Sequence, residues 1–128
     1  MWTVEFAAAA ERDFELIFDH LLASYQEFGD GFEIAFDRAE QRIGTIQSTA
    51  RDLAKIPFQG TLRPDILPDI RFVRHDNAVF WFVAQEEQQI VQILGVVAWS
   101  MKRSERALPE TDFRRYVRTW GGQVRSSG

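Results

Sequence analysis

The chain contains no cysteine. Disulfides and thiolate zinc sites are therefore excluded, and a reducing, cytoplasmic compartment is the expectation. Histidine is scarce too, with only His20 and His75. Two imidazoles without a thiolate are a poor donor set for a transition metal, so no metal site and no other cofactor is expected. No apolar run reaches the roughly 18 residues of a membrane span, and no membrane partner is expected. The first residues, MWTVEF, lack a basic segment leading into an apolar stretch, so no secretory signal is expected. Familiar catalytic signatures are missing as well: there is no G-x-S-x-G elbow, no Walker loop and no dinucleotide fingerprint. Carboxylates are plentiful, but pairs at arbitrary spacing do not make a hydrolase. Internal repeats and low-complexity blocks are absent.

What remains is a chain of 128 residues, 45% hydrophobic, with eleven Phe. That suffices for one domain with a real core, expected to span 1–128 with a C-terminal extension from about 100. The formal charge of −4 is unevenly spread. Residues 1–99 carry 8 Lys/Arg against 16 Asp/Glu, whereas residues 100–128 carry 7 against 3. A basic tail on an acidic body either meets an anionic partner, stays solvated or docks on its own body.

The densest structural signal is Ile70 to Trp99, IRFVRHDNAVFWFVAQEEQQIVQILGVVAW. Three apolar runs are separated by Asp76-Asn77 and by the polar stretch Gln85 to Gln89. Phe, Val, Ile and Trp suit pleated, buried strands, and Asp-Asn suits the left-handed backbone of a two-residue hairpin turn. The reading is an antiparallel meander with strands at 70–75, 78–85 and 89–98. A two-residue turn pairs His75 with Ala78, Val73 with Phe80 and Arg71 with Phe82. It pairs Arg74 with Val79, Phe72 with Trp81 and Ile70 with Val83. Large apolar groups then occupy both faces, so both need a cover.

Upstream, Trp2 to Ala7 alternates weakly and reads as a short fourth strand, and alanines 7 to 10 favour helix. Phe14, Ile17, Phe18, Leu21, Leu22, Tyr25 and Phe28 form an amphipathic stripe that ends at Gly29-Asp30-Gly31. A second stripe runs through Phe32, Phe36, Ala39, Ile43, Ile46, Ala50 and Leu53 until Pro57. So short a link predicts a hairpin of two antiparallel helices over residues 11–54, packed on one face of the meander. Gly44 within the second helix either admits a close neighbour or is a tolerated cost. Residues 58–69, with Phe58, Leu62, Ile66 and Leu67 to bury, read as an ordered connection. Beyond Pro109, Phe113, Val117 and Trp120 share one helical face with Arg114, Arg115 and Arg118 outside it. A short C-terminal helix over 110–120 is expected, and the second face of the sheet is covered either by its apolar face, the expected cover in the free protein, or by a partner segment. The fold class is therefore α+β: an N-terminal strand and helical hairpin packed on an antiparallel β-meander, with a short C-terminal helix.

This order of elements, and residues 53–99 in particular, resembles the RelE/ParE family of bacterial toxin–antitoxin toxins. The matching features are a P-x-x-G at Pro57 to Gly60, an Arg opening the meander at Arg71, an aromatic second strand at Phe80-Trp81-Phe82, and a last strand V-x-I-L-x-V at Val91 to Val96. The resemblance, closer to ParE than to RelE, covers roughly residues 2–99. It implies a cytoplasmic, plasmid-stabilisation type of toxin that acts by protein–protein binding, with DNA gyrase as target, and that an antitoxin neutralises. Such a toxin is not an enzyme. The alternatives are a RelE-like endoribonuclease acting on mRNA at the ribosome, and a non-toxic scaffold of the same fold; an oligomer is compatible with each. Two departures stand out. ParE-like members commonly end the last strand with a His, where this chain has Ala98 followed by Trp99, Ser100 and Met101. RelE-like nucleases are usually strongly basic, and this body is acidic.

The candidate partner-binding residues are Arg71, Arg74, His75, Trp81, Trp99, Lys102 and Arg103. Arg71, on an apolar sheet face, either holds a partner's anion or pairs with an acid of the two helices. Strand-end cations such as Arg74, His75, Lys102, Arg103 and Arg106 are more often solvated, but converging at one end of the sheet they would bind phosphates. Trp81 and Trp99 have packing as their first role. Under the nuclease alternative, Arg71, Arg74, Lys102, Arg103 and Tyr116 would gather round one pocket as the catalytic set.

Overall fold

The computed structural model describes residues 1–75 and 77–98. Strand β1 (Thr3–Phe6) leads into helix α1 (Ala8–Glu27), which is followed by α2 (Phe32–Arg51) and a 3-10 turn over Asp52–Lys55. A two-residue strand β2 (Thr61–Leu62) precedes β3 (Ile70–His75), β4 (Ala78–Gln85) and β5 (Ile90–Ala98). The sheet order is β1-β5-β4-β3-β2. The meander β3-β4-β5 is antiparallel as expected, but β1 runs parallel to β5, so the sheet is mixed. The expected C-terminal helix falls outside the described residues.

The β3–β4 register matches the expected one at every pair from Ile70↔Val83 to His75↔Ala78. Asn77 takes a φ of 63°, the left-handed turn position that Asn tolerates. Between β4 and β5 the register slips, with Trp81 opposite Gly95 and Phe82 opposite Ile93. Leu94 is the extra residue of this bulge, and it resets which side chains face the helices. Val91 and Ile93 point to the helical layer before the bulge, and Val96 and Ala98 after it, while Leu94 joins the opposite face.

The main core lies between the helical hairpin and the sheet. Phe14, Ile17 and Leu21 of α1 meet Ile46 and Ala50 of α2, Leu53, and Phe80, Phe82, Val91 and Ile93 of the sheet. The alanines do more than favour helix. Ala7 donates its N–H to the Ile93 carbonyl at 2.9 Å, so the strand pairing of β1 runs straight into α1. Ala9 and Ala10 are buried, as are Ala35 and Ala39 of α2; small side chains there admit close neighbours. Gly44 has open space around it, which makes it a tolerated helix cost and not a contact point.

The apolar stripes overrun the core at the tip of the hairpin. Phe28 is 88% exposed, Phe32 57% and Phe36 36%, although all three continue the helical spacing. Helix α1 ends one residue before Phe28, and Gly29 at φ 107° turns the chain away. The second sheet face is covered in part by the connection. Leu67 packs with Ala7, Ile70, Val83 and Leu94, and Ile66 and Trp81 lie against this cluster. A chain-local segment thus supplies cover that the sequence pattern had assigned to the tail, which itself lies outside the described residues.

Candidate partner-binding surfaces

Pro57 ends the helical region, and the chain crosses to the edge of the sheet through Phe58, Gln59 and Gly60. Gly60 has a φ of 87°, and a Cβ there would collide with the Phe72 carbonyl oxygen. Only glycine allows both the left-handed turn and this approach, which lets Thr61 and Leu62 pair with Phe72 and Arg71. The P-x-x-G spacing is therefore a device that docks the connection on β3.

Arg71 is held by that same connection. One of its guanidinium N–H groups donates to the Phe58 carbonyl at 2.8 Å, and its charge lies 5.6 Å from the Phe58 ring centre. Phe58 in turn meets Trp2 edge-on at 5.5 Å. Its observed partners are thus a main-chain oxygen and an aromatic ring, a destination that neither sequence-based reading of Arg71 included. His75, two pairs further on the same face, shares a 3.0 Å hydrogen bond between Nε2 and the Gln59 Oε1.

Strand alternation places Arg74 and Trp81 on the opposite face. Trp81 stacks at a tilt on Phe72, with ring centres 5.1 Å apart. Arg63 approaches the Trp81 ring at 6.0 Å while forking onto the Asp65 carboxylate at 3.0 and 2.8 Å. The sheet thus stands between Arg71 with His75 and Arg74 with Trp81. Trp99, Lys102, Arg103, Arg106 and Tyr116 lie outside the described residues. Among the described residues no three His, Asp or Glu side chains gather as a metal-holding group. No described helix is long and apolar enough to cross a membrane.

Two features of the helical layer had no counterpart among the expected site residues. The first is the aromatic tip. Phe36 meets Phe18 at 5.1 Å and Phe32 at 6.0 Å, and Phe32 and Phe28 are largely exposed. Arg38 braces this tip, paired with Asp30 and placed 4.1 Å over the Tyr25 ring. Its signal in the sequence was the Gly29-Asp30-Gly31 break, which places Phe28 and Phe32 at the turn between the two helices. The second is an open groove of about 570 Å3 between α1 and α2, lined by Phe14, Phe18 and Ile43 and bordered by Glu11, Glu15 and Asp19.

Compared with known proteins, this architecture has a solved counterpart. A chain from the chromosomal ParDE TA system from P. aeruginosa superposes with a TM-score of 0.58, covering 77% of this chain and 96% of that one. The two chains share one fold. Sequence identity over the match is 20%, so the likeness is one of backbone architecture. It agrees with the fold that the RelE/ParE resemblance implied from residues 2–99. No family model and no curated protein matches the sequence.

Proposed function

We propose that this protein is the toxin of a bacterial toxin–antitoxin module, ParE-like in acting by protein–protein binding, with DNA gyrase as its target. The observation that carries the reading is the fold shared with a chain from a ParDE TA system. An antitoxin would lie on the helical hairpin and the sheet, where the described surface offers apolar side chains in quantity. Phe28, Phe32 and Ile34 at the tip, and Ile56, Phe58 and Leu62 beside the connection, are all exposed. Apolar groups in such numbers suit a partner that wraps the domain. The setting is a cytoplasmic module of the plasmid-stabilisation type.

Two observations favour this reading over ribosome-dependent RNA cleavage. Arg71 is engaged with Phe58, and Arg74 stands on the other side of the sheet. The acidic body also repels an RNA backbone. Induction in a bacterial host, with DNA-damage response and mRNA cleavage scored together, tests the proposal. The expected result is growth arrest with DNA damage, relieved by co-expression of an antitoxin, and a short reading frame beside the gene would supply that antitoxin. Cleavage of mRNA by the purified protein on ribosomes, lost in Arg71→Ala, would replace it with the nuclease reading. Absence of toxicity with retained antitoxin binding would make the chain a scaffold.

A further inference from the structure

The groove between α1 and α2 combines an apolar floor with one sign of charge. Phe14, Phe18 and Ile43 line it, and Glu11, Glu15 and Asp19 follow one another at intervals of four residues along α1. Four residues of helix rise about 6 Å, so these carboxylates form a ladder of that pitch along one flank. All three are exposed.

The same chain carries the complementary pattern. Arg114 and Arg118 are four residues apart, and Arg115 adds a third charge. On a helical spacing Phe113, Val117 and Trp120 form the adjoining apolar row. Residues 100–128 are net basic and residues 1–99 net acidic, so attraction between the two is built into the chain. The described chain also ends in the right place. The Val96 N–H is bonded to the Asp13 carboxylate at 2.9 Å, so the end of β5, two residues before Ala98, lies beside α1. The residues between Ala98 and Phe113 can extend to roughly 50 Å, well beyond the 10–12 Å diameter of the helix that they must cross. The second sheet face, to which the sequence pattern assigns this apolar row, already holds Ile66 and Leu67.

We propose that residues 113–120 of this chain dock into the groove between α1 and α2, with Arg114 and Arg118 against Glu11 and Glu15. The tail is then an intramolecular cover for the outer face of the helical hairpin. A partner seeking that face must displace it, which makes the tail a brake on association. The inference concerns the free chain and stands whether or not the protein is a toxin.

The absence of native cysteine allows a clean test. A nitroxide label on Gln47→Cys, in the groove wall, is placed in the full-length protein, and amide signals are compared with and without reduction of the label. Residues 113–120 are expected to broaden. The double reversal Glu11→Arg, Glu15→Arg, both at exposed positions, is expected to abolish the broadening, and adding Arg114→Glu, Arg118→Glu to restore it. Unbroadened tail signals in the parent would overturn the proposal, as would broadening indifferent to the charge reversals. Broadening that appears only between labelled and unlabelled copies in a mixed sample would also overturn it, since the occupant would then be a second copy's tail.

Discussion

The carboxylate of Asp13 accepts a hydrogen bond from the main-chain N–H of Val96 at 2.9 Å. The contact caps an edge. Strand β1 pairs with β5 only as far as Ile93, so among the described residues no strand pairs with the remainder of β5 on that side, and a side chain from α1 takes the Val96 donor. Burial raises Asp13 from 3.8 to about 6, while the Val96 N–H and the nearby Arg12 pull in the opposite direction. The fold therefore favours the neutral acid. That contribution is fully present below pH 3.8 and is lost as the pH rises through about 6. Asp13→Asn keeps an acceptor and removes the titration. The variant is expected to exceed the parent in stability at pH 7.5 by roughly 1–2 kcal/mol, after allowance for partial exposure. Denaturant melts at pH 7.5 and pH 3.5 check this, since the advantage should vanish at the lower pH.

Two glycines should respond to alanine in opposite directions. Gly60→Ala meets both a positive φ and the Phe72 carbonyl, and is expected to cost about 2 kcal/mol or more. Gly44→Ala meets open space inside α2 and is expected to stabilise by about 1 kcal/mol. Paired thermal melts decide both signs at once.

Both layers of the core make a stability prediction. Leu21, 7% exposed, faces the main core, and Leu21→Asp buries an unpaired charge at an expected cost of several kcal/mol. Leu67, 8% exposed, anchors the connection on the second sheet face, and Leu67→Ala is expected to cost about 2–3 kcal/mol. A Leu67→Ala melt matching the parent would mean that the connection contributes no cover there.

Arg71 is expected to matter for stability before any partner is present. Arg71→Ala removes the bond to the Phe58 carbonyl and the contact with its ring, an expected loss of about 1–2 kcal/mol. Arg71→Lys should recover only part of it, because an ammonium lacks the planar face that lies on the ring. Equal unfolding midpoints for all three proteins would show that Arg71 is held only loosely and is available to a partner.

The local geometry was written in the residues. Alternating Phe, Val and Ile on either side of Asp76-Asn77 determined the β3–β4 register, because a two-residue turn leaves no freedom of pairing. The stripes determined that two helices form and that Gly29-Asp30-Gly31 reverses the chain. Arg71 was legible as a strand position opposite Phe82, and so was its face. Its partner was not, since the Phe58 carbonyl reaches it only when the connection folds onto β3 through Gly60. The parallel place of β1 and the bulge at Leu94 were likewise decided by tertiary contacts, as was the exposure of Phe28 and Phe32. Periodicity states which residues share a face. Whether that face meets another surface depends on how far each element extends past its neighbour, and only the assembled layers determine that.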